Sequence, residues 1–413
     1  MKKTSGFVCT RGLLVLIFFL LSISLPLHAQ WTQSGLDGYY IRTITVSGSN
    51  VFAGTSGDGM FRSTNSGLSW SPANSGLVGL EFPAFAISGS NLYAGSEGEG
   101  VFLSTNNGVS WTALSPLTNQ FVFALAVSGT DLYAGVDGGG VFRSTNNGAS
   151  WSNSTSGMTN TRVTSLAISG FNLFAGTFGG GVFLSTNNGT TWTAVNNGLS
   201  NTDVQTVIIN PVLPGYIFAG TANGAYYTTN SGSSWNAINN GLTDTYVHTF
   251  AFSGTTIFAG TDMDGVFRST NLGANWTAIN QGLTNTTVWV LTASGSNLFA
   301  GTNGSGVFKR PLSEMVAVQQ VSTEIPGQFS LGQNYPNPFN PTTSIKFDVS
   351  RSGNINISVY DISGRKIEDM VSGSYNPGTY EVKWDASKYS SGVYFYTLVT
   401  NEFTETKRML MIK

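Results

Sequence analysis

The sequence predicts an all-β fold, and two observations lead to this prediction. A unit of roughly forty residues recurs from Trp31 to Arg310, and each copy contains four short runs of β-forming residues separated by Gly, Asn and Ser. The copies also share three landmarks: an Ala-Gly pair in the second run, an aromatic residue in the third and a tryptophan before the fourth. Four strands in a unit of this length are typical of one blade of a β-propeller.

The landmarks count seven copies. The Ala-Gly pair begins at Ala53, Ala94, Ala134, Ala175, Ala219, Ala259 and Ala300. The aromatic residue follows at Phe61, Phe102, Phe142, Phe183, Tyr226, Phe267 and Phe308. The tryptophan before the fourth run has only six copies in this series, at Trp70, Trp111, Trp151, Trp192, Trp235 and Trp276.

The missing seventh tryptophan is found near the N-terminus. The segment Trp31–Leu36 matches the segment that begins at Trp276, with one gap. We therefore expect the N-terminal strand to complete the last blade and to close a seven-bladed ring over residues 30–310. Closure removes the exposed edge strands of an open array. A linear β-solenoid, the alternative, needs no strand from the opposite end of the chain.

Residues 1–29 have the pattern of a secretory signal peptide, with basic residues, an apolar run over 13–21 and a small residue at Ala29. The apolar run is too short for a confident membrane span. The only cysteine, Cys9, lies in this segment. We therefore expect neither disulfides nor thiolate metal sites in the exported chain, and no transmembrane segment.

Residues 31–310 contain seven Lys and Arg against eleven Asp and Glu. This balance leaves no basic stripe for phosphate contacts, so nucleic-acid binding is not expected. His248 is the only histidine after the signal peptide, and no nucleophile elbow is visible. We therefore predict no catalytic residues, no metal ligands and no cofactor. The pair Asp262 and Asp264 in a Gly-rich loop keeps a Ca²⁺ site as an alternative.

A recurring motif, Ser-Thr-Asn-Asn-Gly-x-Ser/Thr-Trp, joins the third and fourth runs. It resembles the Asp-box hairpin of BNR and sialidase-like propellers, with Asn in place of the Asp, at Asn65, Asn106, Asn146, Asn187, Asn230 and Asn271. The repeat is also similar to propellers of the photosystem II assembly factor type. The resemblance implies a propeller and a structural role for the motif. Relatives that are sialidases use an arginine triad, whereas this chain offers only Arg42 and Arg162 near the expected mouth.

The seven copies disagree most at positions that the fold does not dictate. The second residue of each first run reads Arg42, Pro83, Phe123, Thr164, Gln205, His248 and Trp289. Two residues earlier the chain reads Tyr40, Glu81, Phe121, Arg162, Asp203, Tyr246 and Thr287. In propellers these positions lie at one mouth of the central channel. We predict a shallow site there for a glycan or a protein segment, formed by Arg42, Phe123, Arg162, Gln205, Tyr246, His248 and Trp289. Neutral variation in solvated loops is the alternative.

The composition changes at Pro311. Residues 311–330 carry no repeat landmark and are predicted to be a linker. Residues 331–413 contain alternating apolar runs separated by turn pairs such as Ser363-Gly364, which predicts a small Ig-like β-sandwich. The predicted strands are Ser344–Val349, Asn354–Asp361, Arg365–Ser372, Gly378–Asp385, Gly392–Thr400 and Phe403–Ile412.

The tail resembles the C-terminal sorting domain of type IX secretion, the Por system. The resemblance rests on Asn334-Tyr-Pro-Asn-Pro-Phe-Asn-Pro341, on Tyr360-Asp-Ile-Ser-Gly-Arg365 and on the basic and apolar end at 407–413. It implies recognition of residues 331–413 by the type IX machinery after passage through the inner membrane, and a secreted or surface-attached product. We expect an exported, non-catalytic propeller that binds a protein or a polysaccharide. A secreted glycoside hydrolase of the sialidase or glucanase type is the alternative.

Overall fold

The computed structural model describes residues 30–114, 117, 120–254, 256–312, 318–322, 324–386 and 389–413. No α-helix occurs in these residues, and their regular structure consists of β-strands. The predicted signal peptide, residues 1–29, lies outside the described residues.

The strands between residues 32 and 311 form seven four-stranded antiparallel sheets in the described part of the chain. In chain order they are β1 (Thr32–Gly35), β2 (Ile41–Ser47), β3 (Asn50–Thr55), β4 (Met60–Ser63), β5 (Ser71–Pro72), β6 (Ala84–Ser88), β7 (Asn91–Ser96), β8 (Gly100–Ser104), β9 (Thr112–Leu114), β10 (Val122–Ser128), β11 (Asp131–Val136), β12 (Gly140–Ser144), β13 (Ser152–Asn153), β14 (Val163–Ser169), β15 (Asn172–Thr177), β16 (Gly181–Ser185), β17 (Thr193–Ala194), β18 (Val204–Ile209), β19 (Ile217–Thr221), β20 (Gly224–Thr228), β21 (Asn236–Ala237), β22 (Val247–Ser253), β23 (Thr256–Thr261), β24 (Val266–Ser269), β25 (Thr277–Ala278), β26 (Val288–Ser294), β27 (Asn297–Thr302) and β28 (Val307–Pro311).

Six of these sheets use four consecutive strands each, beginning with β2-β3-β4-β5 and ending with β22-β23-β24-β25. The seventh sheet has the order β1-β28-β27-β26. Its outer strand β1 pairs antiparallel with β28, and Thr32 lies opposite Lys309. The all-β fold and the repeated four-stranded sheets are as the sequence predicts.

Neighbouring sheets pack closely through their first two strands. The first strand of each sheet lies beside the first strand of the next sheet, in the order β2, β6, β10, β14, β18, β22 and β26. Strand β26 in turn lies beside β2. Thr292 of β26 donates a hydrogen bond to the carbonyl of Ile44 in β2, at 2.7 Å. A Cβ at Gly54 would collide with the carbonyl oxygen of Phe82 in the next sheet. The Ala-Gly landmark therefore marks a close approach that only glycine permits.

The tryptophans join the outer strands of neighbouring sheets. In six of the seven repeat tryptophans, the indole N–H donates to a main-chain carbonyl that lies three residues after the tryptophan of the preceding sheet, at 2.6–2.9 Å. The bonds run from Trp70 to Ser34, Trp111 to Ala73, Trp192 to Ser154, Trp235 to Val195, Trp276 to Ile238 and Trp31 to Ile279. Trp31 thus makes for the seventh sheet the bond that the repeat tryptophans make for the others. The indole N–H of Trp151 has no hydrogen-bond partner among the described residues.

The asparagine motif forms a hydrogen-bonded hairpin. The side-chain oxygen of Asn187 accepts from the Ser185 hydroxyl and from the backbone N–H of Thr191, both at 2.9 Å. Its amide nitrogen donates to the Thr191 hydroxyl, also at 2.9 Å. Gly189 takes a positive φ of 82°, which glycine adopts without strain. The amide oxygen accepts the backbone N–H four residues later in each of the six hairpins.

The C-terminal region forms two further four-stranded sheets. Its strands are β29 (Val318–Ser322), β30 (Ser330–Leu331), β31 (Thr342–Val349), β32 (Gly353–Tyr360), β33 (Lys366–Tyr375), β34 (Gly378–Asp385), β35 (Gly392–Val399) and β36 (Thr404–Met411). The sheets have the orders β29-β34-β31-β30 and β33-β32-β35-β36. Side chains from both sheets, among them Phe347, Ile357, Trp384 and Tyr396, form one buried core. The six predicted strands agree with the observed ones to within three residues at each end.

The prediction of a linker over residues 311–330 is wrong in part. Strand β29 lies within this segment and pairs with β34, with Val318 opposite Val382. Strand β30 begins at Ser330 and pairs with β31. Strand β29 contains only two apolar residues in five, so its sequence alternation is too weak to predict a strand. Main-chain pairing with β34 defines this strand, and a side-chain pattern does not reveal such pairing.

Replacing Trp31 by Ala tests the role of the N-terminal segment. Trp31 is 2% exposed, so the change should lower the free energy of unfolding by about 3–5 kcal/mol. Urea unfolding followed by circular dichroism measures this loss. An unchanged unfolding midpoint would contradict the placement of Trp31 in the core of the seventh sheet.

Two matched variants separate the indole hydrogen bond from the loss of volume. Trp31→Phe and Trp151→Phe remove the same atoms, but only Trp31 donates a hydrogen bond. Arg310 also donates to the Ile279 carbonyl, at 2.8 Å, so that oxygen keeps one partner. Trp31→Phe should therefore cost about 1 kcal/mol more than Trp151→Phe.

The asparagine hairpin gives a second prediction. Asn187→Ala removes three hydrogen bonds of the turn and should lower the free energy of unfolding by about 1–2 kcal/mol. Asn187→Asp should be close to neutral, because a carboxylate accepts the same N–H and the Thr191 hydroxyl can turn to donate. Equal losses in the two variants, measured by urea unfolding, would show that the side-chain oxygen is not what holds the turn.

Candidate functional site

Seven residues occupy one structural position at the start of the first strands, and we call them the mouth ring: Arg42, Pro83, Phe123, Thr164, Gln205, His248 and Trp289. In six of the seven sheets the pairing between the first and second strands shifts register at this residue. A bulged residue leaves the ladder, and its side chain is re-aimed. The exception is Pro83, which precedes β6 and has no N–H to donate. The ring side chains therefore lie outside the regular alternation of the first strands.

A second set of contacts holds the loops of this end in place. In every sheet, one backbone hydrogen bond of 2.9–3.1 Å fixes the loop between the second and third strands. The donor is the N–H of the first residue of this loop. The acceptor is the carbonyl of the residue that lies two positions before the mouth-ring residue. The pairs are Ser56 and Tyr40, Glu97 and Glu81, Asp137 and Phe121, Phe178 and Arg162, Ala222 and Asp203, Asp262 and Tyr246, and Asn303 and Thr287. Each sheet thus presents three side chains at the same mouth.

A cavity of about 410 Å³ lies at this mouth. All seven residues of the mouth ring line it, together with Asp137, Arg162, Val163 and Phe178. A second cavity of about 510 Å³ is lined by the first strands and shares six residues of the ring. Of the seven predicted site residues, the cavity brings together Arg42, Phe123, Arg162, Gln205, His248 and Trp289. Tyr246 does not line it.

Arg42 joins three sheets at the mouth. Its guanidinium lies 3.6 Å from a carboxylate oxygen of Glu97 in the second sheet. The same guanidinium lies over the ring of Trp289 in the seventh sheet, 5.0 Å from the ring centre. A cation held between a carboxylate and an aromatic face is stabilised by both. One face of the Trp289 ring is therefore already occupied.

Arg162 repeats this arrangement elsewhere on the mouth. Its Nε donates to Asp137 at 2.8 Å, and its guanidinium lies over the ring of Phe178, 4.6 Å from the centre. Phe178 is not among the site residues predicted from the sequence. The signal was present in the repeat, because the equivalent loop position is polar or small in the other six sheets.

His248 and Tyr246 form a third cluster. The imidazole Nε2 lies 3.0 Å from Asp262, and the two aromatic rings have centres 4.7 Å apart. Burial lowers the pKa of His248, and this effect exceeds the opposing effect of the Asp262 hydrogen bond. Tyr246 therefore supports a ring residue instead of lining the cavity.

The predicted Ca²⁺ alternative places Asp262 and Asp264 together, but their side chains have different partners. Asp262 contacts His248, and Asp264 accepts a hydrogen bond from Thr243. The described residues contain no group of three or more His, Cys, Asp or Glu that could hold a metal ion.

Two glutamates lie together beside Arg42, and the backbone N–H of Glu97 donates to the Glu81 carbonyl at 3.1 Å. Burial raises the pKa of Glu97 to about 7, and the hydrogen bond and charge of Glu81 contribute in the same direction. Asp137 also raises this pKa, whereas Arg42 lowers it. The Ser56 hydroxyl donates to the other glutamate, Glu81, at 3.3 Å. Glu97 therefore takes up a proton near neutral pH.

The glutamate pair predicts a pH effect on stability. The pKa of Glu97 in the folded chain, about 7, is above the ordinary value of 4.5. Its contribution is therefore complete below pH 4.5 and is lost as the pH rises through about 7. Glu97→Gln should reduce the difference in melting temperature between about pH 5 and about pH 8. The exposed neighbour Glu99 is the control, and an equal reduction in Glu99→Gln would contradict the assignment.

Comparison with solved structures indicates a β-propeller-like fold. The chain is similar to the GH74 enzyme of Niastella koreensis, at 20% identity and a TM-score of 0.53, over 66% of this chain and 43% of that one. It is similar to YCF48 bound to D1 peptide, at 14% identity and a TM-score of 0.54, over 68% of this chain and 94% of that one. It is also similar to a catalytically inactive virginiamycin B lyase from Staphylococcus aureus with quinupristin, at 12% identity and a TM-score of 0.57, over 68% and 98%.

These similarities concern the fold alone, because the identities are low, and this chain spans less than half the length of the GH74 enzyme. No curated protein is detectably similar in sequence. No helix among the described residues has the length and apolar character that crossing a membrane requires. Residues 333–413 match the family model of the secretion system C-terminal sorting domain. The chain therefore carries a type IX sorting domain at its C-terminal end and is exported to the cell surface or outside the cell.

Proposed function

We propose that residues 30–310 form a closed seven-bladed β-propeller in which β1 is the outer strand of the last blade. The pairing of β1 with β28 and the position of β26 beside β2 support this proposal. The indole bond from Trp31 to Ile279 supports it as well, because it repeats between the last and first parts of the chain the contact seen between the other sheets.

The exported propeller binds a protein or a polysaccharide at its mouth and does not catalyse a reaction. The single observation that carries this proposal is the convergence of all seven mouth-ring residues on one cavity. These residues differ from sheet to sheet, whereas the positions that hold the sheets together are nearly uniform. The volume of this cavity, about 410 Å³, lies within the range of pockets that bind small molecules, about 300–1,000 Å³. The similarity to YCF48, whose structure contains a bound peptide, is compatible with such a role.

A secreted glycoside hydrolase is the second candidate, and the similarity to a GH74 enzyme favours it. Glycosidases use two carboxyl groups about 5–9.5 Å apart on either side of the scissile bond. The cavity at this mouth has one carboxylate among its described lining residues, Asp137, and Arg162 pairs with it. A single paired carboxylate does not supply the two groups that hydrolysis needs, so we favour binding over hydrolysis.

Binding to arrays of glycans and of extracellular proteins tests the proposal. Trp289→Ala should weaken any specific ligand by about tenfold or more, because the ring supports Arg42 and lines the cavity. The control is Phe171→Ala, which removes a 75% exposed aromatic side chain from the opposite end of the fourth sheet. Equal binding by the two variants would rule out the mouth. Release of shorter sugars from a bound glycan would establish the hydrolase instead.

A further inference from the structure

We propose that the mouth binds a basic segment of a partner protein, with Arg or Lys side chains seated on the rings of Phe121 and Tyr246. This inference deepens the proposed function and rests on it. It depends on three features of the described residues: how charge is distributed over the sheets, how the mouth holds its own arginines, and which aromatic rings carry no guanidinium.

The charges of the seven sheets are separated between their two ends. Ten of the eleven carboxylates lie before a first strand or in a loop between second and third strands, at the mouth end: Asp37, Asp58, Glu81, Glu97, Glu99, Asp137, Asp203, Asp244, Asp262 and Asp264. Only Arg42 and Arg162 oppose them there. The other Lys and Arg lie on third strands, where Arg62 donates to the Asn107 carbonyl and Arg143 pairs with Asp131. A cationic ligand is therefore attracted to the mouth end.

The mouth already binds guanidinium groups in one way. Arg42 lies on Trp289 and pairs with Glu97, and Arg162 lies on Phe178 and pairs with Asp137. In both cases an aromatic face and a carboxylate from a neighbouring loop hold the cation. The same combination of groups would hold an arginine or lysine from another protein.

Two further rings of the mouth have no guanidinium over them among the described residues. Phe121 is 48% exposed, and its main chain pairs with that of Glu97 and accepts a hydrogen bond from the backbone N–H of Asp137. Tyr246 packs against His248 on one side, with ring centres 4.7 Å apart, and the charges of Asp262 and Asp203 act on its hydroxyl, whose pKa is raised first by burial. Phe121 and Tyr246 are thus rings of the mouth that no guanidinium of the described residues occupies.

The balance of charge and aromatic surface at the mouth favours a basic peptide over a neutral polysaccharide. Sugars stack on aromatic faces, and Trp289 and Phe178 each have a guanidinium over one face. Tyr40, a further exposed ring of the mouth, is tilted against Trp289 with ring centres 6.3 Å apart. Carboxylates outnumber open rings at the mouth, which suits a basic peptide better than a neutral glycan.

Fluorescence anisotropy with short synthetic peptides tests this inference on the exported chain, residues 30–413. The probe alternates Arg with Gly, and matched peptides replace Arg by Gln or by Glu. A chitosan hexamer represents a cationic polysaccharide. We expect the Arg peptide to bind, the Gln and Glu peptides to bind at least tenfold more weakly, and the affinity for the Arg peptide to fall about tenfold between about 50 and 500 mM NaCl.

Matched variants locate the site. Phe121→Ala and Asp203→Asn should each weaken the Arg peptide by about fivefold. Their controls make the same changes at the opposite end, Phe171→Ala and Asp131→Asn, and should leave the affinity unchanged. Thermal melts of all four variants verify that each is folded.

Several results would overturn the inference. Binding of the Gln or Glu peptide as tight as that of the Arg peptide would remove the role of charge. Tighter binding of chitosan would replace the protein partner by a polysaccharide. If Phe121→Ala and Asp203→Asn both bind the Arg peptide with unchanged affinity, the peptide binds elsewhere. If no peptide binds while an array ligand depends on Trp289, this inference fails and the proposed function stands.

Discussion

The hydrogen bond from a repeat tryptophan to a carbonyl of the preceding sheet, made by six of the seven indole N–H groups, is the contact on which the outer strands depend. The fourth strands are two or three residues long in six of the sheets, for example β5 over Ser71–Pro72, and so short a strand has few ladder bonds of its own. In these six cases the tryptophan ties its strand to the outer strand of the neighbouring sheet. Trp31 makes this bond for the seventh sheet from the other end of the chain. The contact therefore joins the first strand of the chain to the sixth sheet, while pairing with β28 joins this strand to the seventh.

The side chains at the mouth can vary because the contacts that hold the sheets together are made by other residues. Packing between sheets uses the second strands and the Ala-Gly pairs, as at Gly54 and Gly301. The outer strands are held by tryptophan and the hairpins by asparagine. None of these contacts uses the bulged position, so its side chain can change from Arg42 in one sheet to Trp289 in another without disturbing the core. The scaffold is repetitive, and the surface that it presents is not.

Much of the fold and part of the site could be predicted from the sequence, for physical reasons. Each repeat landmark makes one kind of contact in the structure. Trp31 could therefore be assigned by its similarity to Trp276. The mouth-ring residues could be found at the position where the copies differ. The partnerships at the mouth could not be predicted, because Arg42 meets Glu97 from the second sheet and Trp289 from the seventh. Strand β29 was missed because main-chain pairing, and not side-chain pattern, defines it. Phe178 was missed because the comparison of copies did not extend to its loop position.

The glutamate pair connects the charge of the mouth to its protonation. Burial, with a contribution from the neighbouring Glu81, raises the pKa of Glu97 to about 7, and Glu97 also pairs with Arg42. A second cation seated on Phe121, next to Glu97, would favour the ionised form of Glu97 and so release its proton. Conversely, a proton on Glu97 reduces the negative charge that such a cation meets. Proton and cationic ligand would therefore compete at Glu97, and the scaffold that buries Glu97 beside Glu81 is what couples them.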